Sequence, residues 1–158
     1  MYKDIENFKR TLDKKEALNR CTVLCSKAEY SEWDIKEKLN KWGVDSESFN
    51  EIIEYLCNNN YINEERYAEC FVREKFNLRH WGRIKIAYAL RQKRVKEQYI
   101  AKAFEEIDEE RYFETLRSLI ANKSKGNLND FKKRASVYNF ALSRGFEPEL
   151  INKALKEI

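Results

Sequence analysis

One apolar pattern recurs three times in this chain at a fixed interval of 51 residues, and it decides what the chain can fold into. After Val44 the apolar side chains fall at Phe49, Ile52, Ile53 and Leu56; after Val95, at Ile100, Ala103, Phe104 and Ile107; after Phe146, at Ile151, Ala154, Leu155 and Ile158. These positions are related as i, i+3, i+4 and i+7, one stripe of an α-helix. Upstream, Ile35 and Leu39 recur as Ile86 and Leu90 and again as Val137 and Ala141. An i, i+4 pair of this kind marks a second helix. The pattern repeats without a gap, so each copy is one structural unit.

The residues between the two helices describe their connection. Gly43 and Gly145 occupy equivalent places, suited to the left-handed residue that ends a helix. Arg94 holds that place in the second copy, where an L-residue costs on the order of 1 kcal/mol. Asp45 or Ser46 can cap the next helix in the first copy, and Pro148 fits the first turn of its counterpart in the third. A less regular helix precedes each pair, over residues 17–28, 64–77 and 109–123, with Asn63 as a good N-cap for the middle one. Residues 123–130, KSKGNLND, form a loop inserted in the third unit.

The expected fold is therefore all-α: tandem three-helix repeats over residues 15–62, 63–108 and 109–158, preceded by an extension over residues 1–14. The first dozen residues are expected to form an extra helix or a frayed tail. Units this small bury little alone, so an elongated, curved array of neighbours is expected. Four Gly and one Pro supply too few turns for a β-sandwich, and an apolar fraction of 42% is ample for a core.

Composition also narrows function. No apolar run reaches the roughly 20 residues of a membrane span, and the N-terminal stretch has no signal-peptide core, so a cytoplasmic protein with no membrane partner is expected. Cys21, Cys25, Cys57 and Cys70 are then free thiols of core or boundary positions. A single His, His80, leaves no room for a His-based metal site, and four isolated glycines build no phosphate loop. The acidic groups Glu64–Glu65 and Asp108–Glu109–Glu110 could serve as general acid and base or hold a cation, but they stand where helices begin, and complementing the helix dipole is the simpler account. The expectation is a binding protein without catalytic residue, metal or cofactor.

Charge is segregated along the chain. The net charge is −6 over residues 44–69, +8 over 70–102 and −5 over 103–114. The stretch HWGRIKIAYALRQKRV, residues 80–95, carries Arg83, Lys85, Arg91, Lys93 and Arg94 and no acid. At 100° per residue, Arg83, Arg94 and Arg91 fall beside the Ile86–Leu90 stripe as a ridge of planar donors suited to phosphates or carboxylates. Cations near a helix C-terminus also gain from its dipole, but exposed helices usually interleave both signs, and this one does not. Lys132, Lys133, Arg134 and Arg144 make a second basic cluster on the corresponding helix of the third unit. Trp33, Trp42, Tyr61 and Tyr88 are read as packing residues between helices, Trp81 less securely so.

Three segments together resemble one family. NNNYINEERYAECFVREK, residues 58–75, resembles the GYIDDERFA signature of the RecX regulatory proteins, with Tyr61, Ile62 and Phe71 at its motif positions. WGRIKIAYALRQKRV, with Trp81 and Gly82, looks like the segment that follows it, and SRGFEPELINKAL, with Gly145 and Phe146, is similar to the C-terminal one. Gly43 completes the structural positions, Arg94 stands at a usual Gly, and Trp81–Gly82 replaces a common Gly-Pro. The resemblance implies tandem three-helix repeats and no catalytic residues. It implies modulation of RecA, by lodging along the groove of the RecA–DNA filament and restraining its recombinase, ATPase and coprotease activities. Single- or double-stranded DNA is a further expected contact, and a monomer the expected state. An autonomous helix-turn-helix-like DNA-binding protein and a scaffold for another protein are the alternatives.

Overall fold

The computed structural model describes residues 11–158, which are all helix and connection. Helices α1 (Lys14–Lys27), α2 (Glu32–Lys41) and α3 (Phe49–Asn58) are followed by α4 (Glu64–Asn77), α5 (Arg83–Gln92) and α6 (Glu97–Phe104), then by α7 (Glu109–Ser124), α8 (Phe131–Ser143) and α9 (Pro148–Lys156). A short 3-10 turn, Ser46–Ser48, leads into α3. The fold is all-α and built of three-helix units in tandem, as the 51-residue interval predicts. The expectation for the first dozen residues falls almost wholly outside the described part of the chain.

Side-chain caps explain where most helices start. Asp13, Ser31, Asn63, Asp108 and Asp130 each accept a backbone N–H from the first turn of the helix they precede. Ser31 is fully buried, and Asp34 returns a bond to its N–H, so both members of the capping box are made. Asp45 caps the 3-10 turn through the Glu47 N–H.

The repeat is closest where the middle helix of each unit ends. The N–H of Val44 donates to the Leu39 carbonyl, that of Val95 to Leu90 and that of Phe146 to Ala141, at 3.0, 3.1 and 3.3 Å. One residue earlier, Gly43, Arg94 and Gly145 donate to Asn40, Arg91 and Leu142. This is the Schellman pattern three times over, with buried apolar residues at both ends of the longer bond. The central residue takes φ of +70° at Gly43, +57° at Arg94 and +94° at Gly145. Arg94 thus adopts the strained conformation, so the turn geometry prevails over the preference of the residue.

The described residues fall into two compact units, 11–67 and 68–158, the division falling inside α4. In the first, Ala17, Cys21, Ile35, Leu39, Ile52 and Leu56 make the core between α1, α2 and α3. Arg66 ties that unit's end to its middle, bonding the Glu29 carboxylate and the carbonyls of Asn60 and Tyr61. In the second, the middle and last repeats share one core. Tyr112 is fully buried with Phe76 and Phe146 beside it, ring centroids 5.6 and 5.2 Å away.

Candidate partner-binding surface

Helix α5 starts without a capping side chain, because Gly82 stands at its N-cap. Its first N–H groups are satisfied by the third repeat instead. Gly82 donates to the Arg144 carbonyl at 2.7 Å, Arg83 to the Tyr112 hydroxyl at 2.9 Å and Ile84 to the Gly145 carbonyl at 3.0 Å. Backbone must approach backbone for this, and a Cβ on Gly82 would lie inside the Gly145 peptide. A Cβ on Gly145 would in turn overlap Lys85. The two glycines of the WGR and RGF segments are therefore the two sides of one contact.

Side chains complete the joint. The Arg83 guanidinium stacks 3.9 Å from the Tyr112 ring centroid and donates to Glu109 and Glu147. Tyr112 donates its hydroxyl to the second Glu147 oxygen at 2.7 Å. Burial and then the Glu147 bond drive the Tyr112 hydroxyl far above its ordinary range, so it stays a neutral donor. For Arg83, burial pulls the other way, but the Glu109 bond and nearby negative charge more than offset it and leave the guanidinium firmly protonated. Only 19% of the Arg83 side chain is exposed. Arg144 also turns inward, giving its guanidinium to the Arg79 carbonyl.

The expected arginine ridge is thus not a continuous surface. Arg83 falls between Leu90 and Ala87 on the helical wheel, and both of those are buried. Arg94 stands beyond the end of α5, where the left-handed turn redirects the chain. Arg91 does face outward, with 55% of its side chain exposed, and forks onto Glu97 through bonds of 2.5 and 3.0 Å. That bond holds the Glu97 carboxyl below, and the Arg91 guanidinium above, its ordinary range. Lys85 lies over the Trp81 ring, 4.3 Å from its centroid, with Lys75 5.1 Å from it. Trp81 is half-buried between these two ammonium groups, and Lys93 caps the end of α5.

The second cluster divides as well. Lys132 is exposed and Lys133 half-buried in the first turn of α8, whereas Arg144 stands at the opposite end of that helix. Arg134, the 51-residue counterpart of Arg83, donates to the Leu155 carbonyl at the end of α9. Sequence reading placed Tyr88 among packing residues, but it is 63% exposed, with Ile84 exposed beside it one turn back. Trp33, Trp42 and Tyr61 are partly buried. The outward face of α5 is therefore Ile84, Tyr88 and Arg91, apolar and cationic together. Glu147 and Tyr112 were missed by sequence reading; the available signal was Glu147 as the acid directly after the RGF segment.

The four thiols are free. Burial, then nearby charge, raises Cys21 to about 11, and burial with the Glu32 carboxylate raises Cys57 to about 11. Among the described residues no group of His, Cys, Asp and Glu could hold a metal ion, and no helix is long and apolar enough to cross a membrane.

Helices grouped in threes, a locked joint between repeats and a mixed cationic and apolar outer face define a helical-repeat binding protein. Two family models match the chain: RecX, second three-helix domain, at residues 63–103, and RecX, third three-helix domain, at residues 109–155. A regulatory protein RecX of Clostridium botulinum is 31% identical over 98% of this chain and 75% of its own length. One of Clostridium perfringens is 28% identical over 98% of this chain and 76% of its own. A crystal structure of regulatory protein RecX superposes with a TM-score of 0.82 at 23% identity, covering 92% of this chain and 73% of that one, which shows the shared fold. The chain belongs to the RecX family, which is regulatory and not enzymatic.

Proposed function

We propose that this protein regulates RecA, binding the RecA–DNA filament and restraining its recombinase, ATPase and coprotease activities in DNA repair, recombination and the SOS response. The observation that supports it most is the exposure of cations on the repeat-equivalent helices α5 and α8: Arg91 in the last turn of one, Lys132 in the first turn of the other, with Lys133 half-buried beside it. Cationic groups exposed on successive repeats suit a long anionic partner. Lys85, Lys93 and Arg94 extend the α5 side of this surface. Arg83, Arg134 and Arg144 serve it indirectly, by fixing the helices that carry it. The protein works as a cytoplasmic monomer without cofactor in this reading.

The test is RecA ATPase turnover on single-stranded DNA, with strand exchange alongside, titrated with this protein. The proposal expects both to fall saturably; no effect at saturating protein would refute it. Binding to DNA without RecA, lost steeply with salt, would favour an autonomous DNA-binding protein instead.

A further inference from the structure

Helix α8 is apolar on two sides. Val137 and Ala141 are buried against the rest of the third repeat. On another side stand Phe131, Ala135, Tyr138 and Leu142, spaced i, i+4, i+7 and i+11. At 100° per residue these four fall within about 60° of one another, a straight seam about 16 Å long. Phe131 is 82% exposed, Leu142 41%, Ala135 exposed and Tyr138 half-buried. The two apolar stripes stand about 110° apart round the helix; such a helix is ordinarily enclosed along both, and this seam is not.

Three features of the surroundings say what would cover it. A shallow cleft of about 230 Å³ runs along the seam from Phe131 to Tyr138, bounded by Arg134 of α8 and by Asn152, Leu155 and Lys156 of α9. Lys132 borders the other flank by its place on the wheel, and no described residue lining the cleft is acidic. The third is the spacing: a seam at alternating intervals of four and three is what a second helix needs for knobs-into-holes packing, and Ala135 in its middle lets that helix come close. Stacked bases would instead favour successive aromatic platforms, and here an Ala separates the two rings and Leu142 ends the row.

We propose that this seam and its cleft form a docking site for an amphipathic helix of a protein partner, with large apolar residues on one stripe and carboxylates on its flanks. The inference rests on the reading of Lys132 as a contact residue and assigns it carboxylate rather than phosphate; Lys133 falls on the far side of α8 from the seam. The partner's apolar stripe lies on Phe131, Ala135, Tyr138 and Leu142, and its acids meet Lys132 and Lys156. Charge sets orientation, and the apolar seam supplies most of the attraction.

The probe is a fluorescein-labelled three-heptad peptide with Leu at both seam positions and Glu and Gln elsewhere, beside a counterpart with every Glu changed to Lys. Fluorescence anisotropy of the full chain with each peptide is compared with that of a Phe131→Ser/Leu142→Ser variant, whose helicity and melting are measured alongside. The acidic peptide is expected to bind saturably, and at least tenfold more tightly than the Lys counterpart and than it binds the variant. Equal binding of both peptides, or no binding of the acidic one, overturns the inference. So does loss of oligo(dT) binding in the variant, which makes the seam a nucleic-acid surface, or a sedimenting dimer that the variant dissolves, which makes it a self-contact. RecA inhibition by the wild type, run in parallel, separates the two proposals. Inhibition without peptide binding removes only the seam, and peptide binding without inhibition removes only the RecA reading.

Discussion

At the joint between α5 and α8, Arg83 meets Glu109 and Glu147 over the Tyr112 ring, and Arg144 reaches the Arg79 carbonyl. At the start of α8, thirteen residues or fewer away in sequence from Arg144, Lys132 stands exposed beside an exposed Phe131. Both regions read as basic clusters, and they do different things. In the first, cations hold two repeats together; in the second, Lys132 remains at the surface beside an exposed apolar side chain. A cluster of Arg in a repeat protein is therefore a contact surface only where the repeat's own packing leaves it outside.

The largest effect should come from the close backbone approach at the joint. Gly82→Ala forces a Cβ into the Gly145 peptide, and neither backbone can yield cheaply. It is expected to destabilise the chain by about 3 kcal/mol or more, read as a fall in thermal or urea midpoint. An unchanged midpoint would show that the joint is not held as described. Next is Tyr112→Phe, which removes the donor to Glu147 and the acceptor of the Arg83 N–H while keeping the ring. The expected loss is about 2 kcal/mol, since partly buried groups lose their partners.

Arg94→Gly sharpens the comparison in the opposite direction. The residue sits at φ +57° in a turn that Gly43 and Gly145 occupy in the other repeats. Relief of that strain should stabilise the protein by about 0.5–1 kcal/mol, and weaker RecA inhibition by this more stable variant would mark Arg94 as a contact residue. Arg91→Ala should have the smallest effect on folding, moving the melting temperature by about 1 °C. The Arg91–Glu97 fork is exposed, and the depressed Glu97 carboxyl contributes only at pH above its unfolded value, losing that contribution as pH falls through the lower folded one. The same variant should weaken inhibition of RecA measurably.

Thiol chemistry separates an exposed cysteine of the second unit from two of the first. Cys70 is exposed, whereas Cys21 is buried, and Cys21 and Cys57 are both pushed up to about 11. Iodoacetamide at pH 8 should modify Cys70 first and the other two at least tenfold more slowly. What the two raised thiols add to stability is complete below pH 9 and declines as the pH rises toward 11.

The helices and their ends were legible because they are local. The i, i+3, i+4, i+7 stripes, Asn63 before α4 and the glycines after α2 and α8 each act through neighbours in sequence. The inward turn of Arg83 was not legible in the same way, since its partners Glu109 and Glu147 lie 26 and 64 residues further on. A trace of it was present: on the wheel Arg83 falls between Leu90 and Ala87, and its repeat counterpart Arg134 also turns inward. Tyr88 misled for the opposite reason. Aromatic residues at helical spacing ordinarily pack, and only the positions of neighbouring helices reveal that nothing of this unit covers it.

The measurement that bears most directly on the division between joint and surface is RecA ATPase turnover on single-stranded DNA. It would be titrated with an outer variant, Arg91→Glu/Lys132→Glu/Lys133→Glu, and with an inner one, Arg83→Gln, each with its melting curve. The outer variant should melt like the wild type and need at least tenfold more protein for equal inhibition, while the inner one melts lower. An outer variant that inhibits as well as the wild type, or an inner one that melts normally and has lost inhibition, would contradict this assignment.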